Sequence, residues 1–90
     1  EVKAEGVKLD GAQHKGATLT AAGLQGAVLV AADLEGAFLD WARLADANLS
    51  EAWLRKSDLR YADLNGAVLK GSDLRGAAME GAKLAHSPIR

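Results

Sequence analysis

Leucine returns at every fifth residue of this chain. Residues 57–77 read SDLRY, ADLNG, AVLKG, SDLRG and A, with a small residue opening each unit and a leucine at its third place. All fourteen leucines, from Leu9 to Leu84, fall in this one class, and Ala4, His14, Met79 and Ile89 fill its remaining places. Two residues before each centre stands Ala, from Ala12 to Ala82, except at Val2, Val7, Ser57, Ser72 and Ser87. Lys, Arg, Asp, Glu, Thr, Gly and the aromatics take the other three places. An α-helix cannot use such a period, because five steps of about 100° carry each successive leucine round by about 140° and smear them over the whole surface. A flat strand fails too, since an odd period sends alternate leucines to opposite faces. The pattern predicts a coil that turns a corner every five residues, with the small residue and the leucine inward and the other three places outward.

Nine of the ten glycines stand two places after a centre, with Gly23 the exception, and glycine there suits a corner. Trp41, Asp46, Glu51, Lys56 and Tyr61 occupy the same place. The expectation is therefore that a positive φ is not compulsory at every corner.

ADLEG (32–36), ANLSE (47–51) and ADLNG (62–66) match the motif A(D/N)Lxx outright, and SDLRY and SDLRG differ only by Ser for Ala. On these residues the chain resembles the pentapeptide-repeat family over its full length, with departures at the AVL, AFL, AWL, ARL and AKL units and at His14. The resemblance implies an all-β, right-handed parallel β-helix, a quadrilateral β-solenoid with four pentapeptides to a coil. Ninety residues then give about 4.5 coils, a narrow post roughly 22 Å tall. Residues 1–90 are read as one such domain, and the start at Glu1 suggests a fragment or module of a larger protein. The unbroken register fits a natural module and an idealised repeat equally.

Stacked coils would set residues twenty apart over one another, as in Leu19, Leu39, Leu59 and Met79. The same stacking gives alternating charge columns, Asp40, Arg60, Glu80 and Arg43, Asp63, Lys83, whereas Lys15, Glu35, Arg55, Arg75 ends in a like pair. Opposite charges on adjacent strands help a little and like charges hurt. Solenoid ends carry unpaired backbone. Pro88 removes a ladder donor at the C-terminal end, and the open N-terminal end suggests end-to-end association or attachment to another domain.

Eleven Lys and Arg against twelve Asp and Glu, a net charge of −1, argue against direct nucleic-acid binding. No apolar run approaches the ~18–20 residues of a membrane span, so no membrane partner is expected and a cytoplasmic location is the working expectation. The lack of cysteine removes thiolate chemistry and disulfides. His14 and His86 lie 72 residues apart, roughly 17 Å along the axis, too far to share a metal. Ser57, Ser72 and Ser87 fall in the inward class and read as buried fillers bonded to backbone. GAQHKG and GAVLKG lack the Lys and Ser or Thr of a phosphate loop, and Asn48-Leu49-Ser50 is a glycosylation tripeptide too common to weigh. The chain is expected to be no enzyme and to need no cofactor or metal.

The aromatics break the uniformity. Phe38, Trp41, Trp53 and Tyr61 fall within about one circuit, where the corner glycines also give way. Trp41 and Tyr61, twenty apart, should stack on one edge, with Asp40 and Arg60 beside them and Arg43 and Asp63 just past the corner. Outward aromatics ringed by charge are what a protein-binding hot spot is made of, and Phe38, Asp40, Trp41, Arg43, Trp53, Arg60 and Tyr61 form the candidate site for a protein partner. The plainer reading is that the rings lie flat and brace the middle coil against Arg stems; Trp53, on another face, weakens a single patch. The resemblance also implies an alternative, since some family members protect the type II topoisomerase gyrase by imitating duplex DNA. Duplex DNA of ~22 Å carries about 13 negative charges. This chain has −1, and its acidic zone, Asp33, Glu35, Asp40, Asp46 and Glu51, is offset by Arg43. A non-enzymatic structural or protein-interaction module is the expectation.

Overall fold

The computed structural model describes residues 15–86. His14, Ser87 and Pro88 lie outside the described residues. From Ala17 the backbone winds through three full coils, residues 17–36, 37–56 and 57–76, and enters a fourth with 77–86. Every bridge between coils is parallel and joins residues twenty apart: Thr18 to Phe38 to Asp58 to Ala78, Gly23 to Arg43 to Asp63 to Lys83, Val28 to Asn48 to Val68, and Asp33 to Trp53 to Asp73. These four columns are the four faces of a quadrilateral solenoid. The strands are so short that each face carries one bridged residue per coil.

The period of five follows from where the backbone amides go. In one unit Phe38 N donates back to Ala17 O at 2.8 Å, Leu39 N and Trp41 N donate forward to Asp58 O and Arg60 O at 2.7 and 2.9 Å, and Ala42 N closes the corner on Leu39 O at 3.0 Å. In units with Asp or Asn in the second place the fifth amide is answered by a side chain. Asp or Asn in the second place accepts the amide two residues on, in Glu35 N to Asp33, Ser50 N to Asn48, Arg60 N to Asp58, Asn65 N to Asp63 and Arg75 N to Asp73, at 3.0 to 3.2 Å. This side-chain turn is the physical content of D/N in the motif.

The corners correct the sequence expectation. Trp41, Asp46, Glu51, Lys56 and Tyr61 have φ of 63, 60, 59, 59 and 63°, and Ala21, Ala31 and His86 join them. Every corner from Gly16 to His86 is left-handed, whatever residue it holds. The reason is the turn itself. A bond from the small residue's N to the preceding leucine's O, with a positive φ only at the third of the four residues, is a type II turn, and that turn requires the sign. A non-glycine residue held so costs ~1–3 kcal/mol, which the forward amide bond of the same corner and its contacts help to offset.

The inward classes form the core. Leu24 to Leu69 and Ala22 to Ala67 are buried at each of their places, and Ser57 is the one buried polar residue among the described residues. Its hydroxyl donates to Leu54 O at 2.8 Å, and that of Ser72 to Leu69 O at 2.7 Å, the filler role expected of them. The extents are 23 × 23 × 22 Å, so the solenoid is as wide as it is tall and not the narrow post expected.

Candidate functional site

The edge between the first and second faces carries one corner residue per coil: Ala21, Trp41, Tyr61, Gly81. Left-handed corners lay their side chains along the axis, over the corner of the next coil. Asp46 thus lies against Gly66, Glu51 against Gly71, Lys56 against Gly76 and Tyr61 against Gly81. Trp41 meets Tyr61 instead of a glycine, and the rings stack with centroids 4.7 Å apart and planes within 16°. The stacking expected from the twenty-residue register is present. Trp41 is 59% exposed and Tyr61 43%.

Beside the stack opens a cleft of about 390 Å³, lined by Trp41, Ala42, Arg43, Tyr61, Asp63, Gly81 and Lys83. One wall is the aromatic edge and the other the alternating column of Arg43, Asp63 and Lys83. Gly81, Asp63 and Lys83 were absent from the candidate set read off the sequence. The signal for them was available, since each is twenty residues from a residue that was in it or from its neighbour in the column.

The remaining candidates disperse. Phe38, 49% exposed, sits in the middle of the first face between Thr18 and Asp58, and Trp53, 50% exposed, on the fourth face between Asp33 and Asp73. Asp40 and Arg60 share a column, but their direct bonds go elsewhere. Asp40 accepts the Thr20 hydroxyl at 2.8 Å, while Arg60 clamps Asp58 with two bonds of 2.9 and 2.7 Å. Arg75 clamps Asp73 in the same way at 2.9 and 2.6 Å. Asp40 and Glu80 act on Arg60 only as distant charge, behind the Asp58 bond that chiefly raises its pKa. The arginine bond is also the main reason the Asp58 carboxyl is lowered and the Asp73 carboxyl falls from 3.8 to about 2. Lys15, expected over Glu35, reaches Asp33 at 3.8 Å. Among the described residues no helix is long and apolar enough to cross a membrane.

The family model described as pentapeptide repeats, itself eight copies long, matches residues 1–36, 22–60 and 54–87. The chain belongs to the pentapeptide-repeat family. Its fold is the all-β, right-handed quadrilateral β-helix of that family. Among solved pentapeptide-repeat structures, HetL of Nostoc sp. PCC 7120, involved in heterocyst differentiation regulation, is similar at 38% identity with a TM-score of 0.85 over 89% of this chain. A second pentapeptide-repeat protein of Nostoc PCC 7120 is similar at 39% identity and a TM-score of 0.82 over 83% of the chain. One from the Arabidopsis thaliana thylakoid lumen is similar at 29% and 0.65 over 98%. The chain spans 37% of the length of HetL, 62% of the second and 68% of the third. No curated protein sequence matches it.

Proposed function

We propose that this pentapeptide-repeat chain is a non-enzymatic scaffold module that holds a protein partner on the Trp41–Tyr61 edge. The observation that carries the reading is a pair of large rings, 59% and 43% exposed, stacked beside an open cleft with Arg43, Asp63 and Lys83 on its far wall. Rings fixed in advance lose little freedom when a partner covers them, and aromatic residues at the centre of a charged rim are the usual anchors of an interface. The mixed signs of the rim suit a polypeptide better than a nucleic acid, as does the net charge of −1. HetL, a relative involved in regulation, is in keeping with action by contact.

The test is a cross-linking capture with the chain and with a Trp41→Ala, Tyr61→Ala variant of matched β circular dichroism, followed by Lys83→Glu to perturb the far wall alone. A partner held by the parent, lost by the ring variant and weakened by Lys83→Glu is expected. A partner held equally by all three would place binding elsewhere on the solenoid.

A further inference from the structure

Eight non-glycine corners, among them tryptophan, tyrosine, lysine, aspartate and glutamate, adopt φ near +60°. The left-handed backbone therefore does not by itself demand glycine, yet glycine fills Gly66, Gly71, Gly76 and Gly81 without exception. Each of these four stands twenty residues after a large corner: Asp46, Glu51, Lys56 and Tyr61. The corners that precede a large one are small. Ala21 precedes Trp41, Gly26 precedes Asp46, Ala31 precedes Glu51 and Gly36 precedes Lys56, while His86 follows a glycine. The single large-after-large step among the described corners is Trp41 to Tyr61, and there the two rings stack at 4.7 Å.

We propose that the corner columns form a steric register lock. A corner side chain occupies the space over the corner of the next coil, so a glycine in that corner is favoured by the residue twenty places before it, over and above its own backbone conformation. Space around the glycines follows this rule. A Cβ at Gly36 would meet nothing within 4 Å, one at Gly76 would touch Lys56 Cγ at 3.4 Å, one at Gly71 would press on Glu51 Cγ at 3.1 Å, and one at Gly81 would lie 2.6 Å from Tyr61 Cε1. At Gly66 the obstacle is the tip of the Asp46 side chain, which can swing away. The Tyr61 ring is more confined, because Trp41 stacks against it. The lock is tightest at Gly81, and it fixes how coils two, three and four sit on one another along the aromatic edge. This holds whether or not a partner docks there.

Gly36 and Gly81 have nearly the same φ, 69 and 73°, so Gly36→Ala reports the backbone effect and Gly81→Ala the backbone effect plus the lock. In urea unfolding of the full chain, Gly81→Ala is expected to raise the unfolding constant at least tenfold more than Gly36→Ala. In a Tyr61→Ala background the two substitutions should agree within about threefold. Equal effects in the parent, or an excess that survives in the Tyr61→Ala background, would overturn the lock. Should Gly81→Ala not fold, Gly71→Ala against Gly76→Ala decides: the former should cost more, and Glu51→Ala should erase the difference. A Gly71 effect no larger than that of Gly76, or one indifferent to Glu51, refutes it. Displacement of the ring should also change the Trp41 emission in Gly81→Ala and leave it unaltered in Gly36→Ala.

Discussion

Leu59 is fully buried between Leu39 and Met79 in its column, where neighbours on adjacent coils are tied by backbone bonds and cannot collapse into a void. Leu59→Ala is therefore expected to cost ~2–5 kcal/mol in urea unfolding, and a loss below ~1 kcal/mol would contradict its inward place. The half-buried Leu84 should lose less. Single residues differed in how much of this they disclosed beforehand. A leucine states its burial by class, so the core was legible throughout. The corner conformation was not, because Trp41 and Lys56 carry side chains that say nothing of φ, and the left-handed turn shows only in the backbone that brings Ala42 N onto Leu39 O.

At the scale of the pentapeptide, SDLR is a self-contained unit. The serine hydroxyl bonds backward, the aspartate accepts the arginine's amide, and the guanidinium returns to the same carboxylate. This explains why Asp40 and Arg60 share a column without bonding directly. The aspartate two residues back is delivered to Arg60 in fixed geometry by the unit's own turn, whereas Asp40 sits a coil spacing of about 4.8 Å away and already holds Thr20. Both clamped carboxyls ionise more readily folded than unfolded. Their stabilisation is thus present above the ordinary value of 3.8 and is lost as pH falls below it, for Asp73 towards about 2. Urea midpoints measured from pH 5 down to 2 should drop across that window, and Asp58→Asn with Asp73→Asn should flatten the drop. An unchanged slope in the double variant would assign the acid sensitivity to other groups.

For the molecule as a whole, charge is the deciding quantity. Arg60 and Arg75 spend their charge on their own units, the net value is −1, and a column such as Arg43, Asp63, Lys83 alternates where duplex DNA would be uniformly negative. In a supercoiling assay with a quinolone the chain is expected to give gyrase no protection, and dose-dependent rescue would revive the imitation of DNA. The location of the candidate site was half legible at this scale. The twenty-residue register brought Trp41 to Tyr61 from sequence alone, but the cleft depends on which side chains lean over which corners, and that direction comes from the left-handed φ that the sequence left hidden.

The strict translation of one coil onto the next, visible in bridges that always join residues twenty apart, also governs how such a chain can change in length. An ordinary domain absorbs an inserted residue in a loop. Here one extra residue would send every later leucine outward, and an extra pentapeptide would keep the core but turn all later faces by a quarter and set large corners over large ones. Only a gain or loss of a whole coil preserves both, so length in this architecture is quantised in steps of twenty residues.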